Sequence, residues 1–185
     1  MPTSDAYLTD IVRTYRNYQA LGEKAIAQVA DESALHAQID PDSNSIAVIV
    51  KHVSGNLRSR FTDFLTADGE KPDRNRDGEF EMDAPVSRDE ILRWWAAGFR
   101  VALAAIEAMT PADLDRTVHI RSEAFLAVEA INRSIAHTAY HTGQIVYVAR
   151  HLASGHWRSL SIPKGKSKDG YGLISPSCTR SPYSS

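Results

Sequence analysis

The chain has 185 residues, of which 43% are hydrophobic and 24% charged, and a formal net charge of −2. This length suits one domain with a sizeable core, and the charge offers nucleic acid no positive field. A single cysteine, Cys178, rules out a disulfide framework within the chain and argues against a cysteine-based zinc site. The first residues, MPTSDAYLTD, lack a basic segment followed by an apolar run, so no secretory signal is expected. The most apolar short run, residues 45 to 50, is far too short to span a bilayer. These features lead to the expectation of a cytoplasmic protein with neither nucleic acid nor membrane as partner.

Four segments carry apolar residues at three-to-four spacing, which marks amphipathic helices. The first, residues 5 to 30, places Tyr7, Ile11, Tyr15, Tyr18, Ala25 and Val29 on one face. The second, residues 45 to 66, repeats the pattern with Ile46, Ile49, Val50, Val53, Leu57, Phe61 and Phe64, and DPDSNS before it supplies residues that can cap a helix. The third, residues 88 to 109, carries Ile91, Trp94, Trp95, Gly98, Val101, Ala105 and Met109; Ser87 and Glu90 fit a capping box, and Thr110-Pro111 ends the pattern. The fourth and longest runs from 122 to 153, with Gly155 just past its end.

The joint at residues 67 to 86, ADGEKPDRNRDGEFEMDAPV, is rich in Asp, Gly, Pro and Arg. Extended chain covers about 3.3 Å per residue, so this joint can cross the roughly 33 Å length of a 22-residue helix. The second and third helices can then run parallel. The expected fold is an all-α four-helix bundle with a long crossover between helices two and three. It occupies residues 1 to 156, and residues 157 to 185 form an irregular tail, docked at its start.

Seven histidines are spread along the chain. His137 and His141 lie four apart in HTAYHTGQ, about 40° apart around a helix axis and one turn along it. Their stripe continues through Ala127, Ala130 and Ser134 upstream, and through Ile145, Val148 and Leu152 downstream, so it should face the core. Two buried imidazoles need partners, and a metal ion is one solution. Such pairs also occur on solvated faces, or hydrogen-bonded inside cores. Unlike HExxH, the spacer Thr-Ala-Tyr supplies no acid.

His52, at the edge of the second helix's apolar stripe, is the candidate third ligand or a satisfied core residue. Three histidines with an open position make a catalytic rather than a closed structural pattern. Asn56, one turn on, could orient a ligand, touch substrate or be a plain boundary residue. His36 and His119 fall in loops and His156 at the start of the tail, and all three are expected on the surface. His151, about 15 Å beyond His141 along the helix, is too far to share an ion. Glu129, two turns before His137, reads as a boundary charge. GKS at residues 165 to 167 lacks the earlier glycine of a phosphate loop, so Lys164, Lys166 and Lys168 read as a solvated basic run. Trp94 and Trp95 read as core or dimer anchors, with a pocket wall as the alternative.

One histidine in the second helix and HxxxHxGQ in the fourth resemble the DinB-like superfamily, also called YfiT-like, of bacterial metal-dependent four-helix bundles. In detail, SIAVIVKHVSGNLRSRFTDFL, DGEKPDRNRDGEF, HTAYHTGQIVYVAR and WRSLSIPKGKS look like the branch known as DUF1572, over about residues 5 to 168. The resemblance implies an up-down-down-up bundle, a homodimer, and a divalent transition metal, zinc or nickel, on His52, His137 and His141. It also implies a metal-dependent enzyme acting on a small-molecule substrate, by transfer of a low-molecular-weight thiol or by hydrolysis. A three-histidine ion with an open position suits either chemistry, and the lack of an acid one turn from the ligands favours thiol activation or a metal-bound hydroxide working alone. The alternatives are a non-enzymatic dimeric protein that binds metal or a small molecule, and a structural module whose histidines only pack. No G-x-S-x-G element supports a serine hydrolase.

Overall fold

The computed structural model describes residues 3–153 and 155–166. Four α-helices dominate them: α1 (Thr3–Ala27), α2 (Ile46–Phe61), α3 (Arg88–Glu107) and α4 (Ala127–Leu152). Short 3-10 turns lie at Glu32–His36, Asp77–Phe80 and Pro111–Asp115, and a small hairpin pairs β1 (Thr117–Ile120) with β2 (Glu123–Leu126). Helix starts follow their caps. Ser45 Oγ accepts the Val48 N–H and Ser87 Oγ the Glu90 N–H, each satisfying a donor that has no partner within its helix.

The helices run up, down, down, up. The end of α2 and the segment after it (Phe61, Thr62, Phe64) share a groove with Val101, Ala104 and Ala105 near the end of α3, so α2 and α3 are parallel. Arg88, at the start of α3, donates to the carbonyls of Ile26 and Val29 at the end of α1, and Arg16 pairs with Glu107 at 2.6 Å, so α1 and α3 are antiparallel. Tyr7 meets Asn132 near the start of α4, and Gln28 meets Arg158 just beyond its end, so α1 and α4 are parallel. The crossover between α2 and α3 is what allows this order. α2 is the most enclosed helix, burying twelve of its sixteen residues, and it presents its sides to both α3 and α4.

Three expectations change. The fourth helix begins at Ala127 rather than 122, because residues 117 to 126 form the hairpin. Its turn residues, Arg121 and Ser122, both have positive φ (55° and 64°), as a tight two-residue turn requires. Asp68 in the crossover holds that turn: its carboxylate accepts the N–H groups of Arg121 (2.9 Å) and Ser122 (2.7 Å). The Glu70 N–H, together with these two bonds, pulls the Asp68 carboxyl down to about 2. The second helix ends at Phe61 rather than 66. His36 is not a surface loop residue; it is half-buried in a 3-10 turn, and its Nε2 lies 2.8 Å from Val86 O.

Trp95 is fully buried and is a core residue, donating Nε1–H to Gln19 O, while Trp94 is half-buried. The α2–α3 contact is close at Gly98, where a Cβ would stand 2.8 Å from Ser54 Cα. That neighbour is backbone and cannot step aside. Gly98→Ala is therefore expected to destabilise the protein by about 1–3 kcal/mol despite alanine's better helix propensity, read as a lower denaturation midpoint. An unchanged midpoint would mean that the helices separate freely there. At the other end, Trp157 and Leu160 pack against the core, whereas Cys178 and Lys168 lie outside the described residues. No described helix is long and apolar enough to cross a membrane.

Candidate metal centre

α2 and α4 bring His52, His137 and His141 together. One nitrogen from each lies within 4.8 Å of the others, and His52 Nε2 is 3.1 Å from His137 Nε2. Nitrogens sharing a tetrahedral zinc at about 2.1 Å stand roughly 3.4 Å apart. The ring centroids are 4.4 to 5.1 Å apart, so the imidazoles meet edge to face around one point. His151 and His156 are exposed and outside the group, and His119 is exposed on β1.

The sequence did not single out the residue that holds His52. Glu79, from the 3-10 turn in the crossover, accepts the His52 Nδ1 proton at 2.8 Å. Arg74 grips the same carboxylate twice, Nε to Oε1 (2.8 Å) and Nη2 to Oε2 (2.9 Å). Burial alone would push the Glu79 carboxyl up, but the bonds from His52 and Arg74 outweigh it and hold it below the usual range. An ionised carboxylate cannot donate, so His52 carries its proton on Nδ1 and turns the Nε2 lone pair inward. Gly55 makes room: a Cβ there would lie 2.8 Å from Glu79 Cδ. The Phe80 ring packs against His52 with centroids 4.6 Å apart. A network extends outward, with Glu70 meeting Arg74, Arg60 (3.0 Å) and Arg121 (3.1 Å).

The motif's glutamine does the same for the second ligand. His141 Nδ1 lies 2.7 Å from Gln144 Oε1, which leaves Nε2 as the lone-pair nitrogen. His137 Nδ1 is buried without a partner among the described residues. Burial and then the neighbouring His141 and His52 push the His137 imidazole down to about 3, and burial lowers that of His141 against the bond from Gln144. Two nitrogens aimed by Glu79 and Gln144, with a third imidazole held neutral, fit a divalent transition metal.

These shifts give acid sensitivity a sign. Unfolded His137 titrates near 6.5 and folded His137 near 3. Between those values the unfolded chain binds a proton that the folded chain refuses, so stability falls as pH falls. The melting temperature of metal-free protein should drop from about pH 6.5 downward, and His137→Gln should flatten that part of the curve. An equal slope in the variant would locate the acid response elsewhere.

Asn56 is 9% exposed and faces the space beside His137. Glu129 is spent on its helix start, where it accepts the Leu126 N–H. Lys164 and Lys166 are exposed.

A helical bundle with a three-histidine cluster between its second and fourth helices is the class that the fold and site define. A family model described as "Protein of unknown function (DUF1572)" matches residues 2–166, and the chain belongs to that family. A comparison with curated proteins finds no match.

Proposed function

We propose that this chain is a metal-dependent enzyme of the DinB-like type, in which His52, His137 and His141 hold zinc or nickel and a low-molecular-weight thiol is transferred to a small electrophile. The observation that carries the reading is the convergence of three imidazoles, two of them with their outer nitrogens fixed by Glu79 and Gln144. The ion would supply Lewis acidity toward a thiol or a water placed beside it. Thiol transfer is favoured over hydrolysis because both Glu79 oxygens are committed to Arg74 and His52, leaving that carboxylate unfree to take a proton from water. A thiol ionises far more readily than water and asks less of a protein base. In the transfer, a sulfur–carbon bond forms as the electrophile's carbon–halogen bond breaks; halide leaves, and the thiol proton passes to solvent.

The test is metal content by mass spectrometry on protein without a histidine tag, followed by assay of thiols with an aryl halide. Turnover that requires the bound metal supports the reading. Metal without turnover leaves a binding protein, and no uptake of zinc or nickel leaves a histidine-bearing core. We also propose a homodimer through the outer face of α4, where Tyr140 and Tyr147, 64% and 73% exposed, lie two turns apart. Sedimentation equilibrium should give a dimer for wild type and a monomer for Tyr147→Glu; a wild-type monomer would sink the idea.

A further inference from the structure

A cavity of about 130 Å³ opens beside His137, between α2, α4 and the hairpin. Asn56, Arg60, Arg133, Ser134 and Ile120 line it with His137, and no acid does. Ser134 is 6% exposed, and its hydroxyl is enclosed beside the Tyr15 hydroxyl rather than open to the cavity. The Asn56 amide makes no hydrogen bond among the described residues, although the residue is 9% exposed. That amide is therefore open to pair with a group in the cavity.

The charge is positive. Arg133 lies 4.9 Å over the Phe125 ring and has no carboxylate partner among the described residues. Arg60 meets Glu70, but that one carboxylate also serves Arg74 and Arg121. Two guanidinium groups and an amide around a space of a few water volumes match a small planar oxyanion.

We propose that this cavity holds a carboxylate of the substrate, placing the substrate's reacting group over the three histidines. The proposal rests on the reading that those histidines hold a metal, and it narrows the substrate class to carboxylate-bearing molecules. Arg133 and Asn56 are then specificity-determining residues: the guanidinium supplies charge at the open side, and the amide supplies a donor at the buried side. Ile120 closes the apolar wall, where the carbon next to the carboxylate would lie.

Zinc-loaded protein, with its zinc counted by mass spectrometry, is titrated calorimetrically with 3-mercaptopropionate and with 3-mercaptopropionamide. Both offer a thiol to the metal and differ only in the anion. A charge-assisted bond is worth about 1.5–3 kcal/mol, so the acid should bind roughly ten-fold or more tighter than the amide. Arg133→Gln should abolish most of that preference with zinc content unchanged, and Arg150→Gln, an exposed cation elsewhere on α4, should keep it. Asn56→Ala is a second variant that removes a donor without removing charge, and it should narrow the preference. Equal affinity for acid and amide in fully zinc-loaded protein would overturn the carboxylate site and leave the metal site standing. Tighter binding of 2-mercaptoethanesulfonate than of the carboxylate would overturn the choice of anion. Protein that takes up no zinc would overturn the metal reading, and this proposal with it.

Discussion

Glu79→Ala is expected to cost about 3–5 kcal/mol of stability, because it strands a buried guanidinium. The Arg74 side chain is 5% exposed and would keep only the longer contact to Glu70 at 3.4 Å. His52 would lose the acceptor that fixes its tautomer. Glu79→Gln keeps the shape and an acceptor oxygen, so it should fold better, yet it should still weaken metal binding about 10–100-fold, the usual effect of removing a ligand's supporting partner. Gly55→Ala should have the same direction of effect without touching any charge, since its methyl would occupy the place of the Glu79 carboxylate. Denaturant titration of the metal-free proteins, with competition against a zinc chelator for the loaded ones, separates the two effects. Wild-type zinc affinity in all three variants would show that Glu79 serves only the fold.

The second large effect is on stoichiometry. The His137→Ala/His141→Ala protein should fall from about one ion per chain to none while keeping its helical circular dichroism, because a three-ligand site cannot survive on one histidine. His52→Ala should lose less, since the pair on α4 remains a chelate one helical turn long. Equal metal loading in wild type and the double variant would refute the site.

The helical faces could be read from the sequence because apolar spacing is a local property. Ile46, Ile49, Val53, Leu57 and Phe61 are buried as their spacing requires, and so is most of the α4 stripe around the histidines. The length of the crossover allowed a parallel order of α2 and α3, and the family resemblance implied it. The hairpin escaped because its turn, Arg-Ser, carries no glycine or asparagine signal; it is held by Asp68, more than fifty residues earlier. Glu79 escaped for a related reason. It is one of seven acids in residues 67 to 86, and spacing cannot say which of them folds back onto a helix. The signal that could have found it was Gly55, a helix-interior glycine three residues after a candidate ligand, marking close approach by another group.

His52 and His137 are 85 residues apart in the chain, and that separation orders events during biosynthesis. An emerging α2 offers one imidazole. The helix bearing His137 and His141 emerges only after the crossover, α3 and the hairpin have been made. α4 alone offers a two-toothed chelate that any free helix would share; the third tooth and its Glu79 support exist only once α4 docks antiparallel to α2. The complete three-histidine group therefore exists only after α4 has been made and docked, and tight retention of an ion there would report that the bundle has closed.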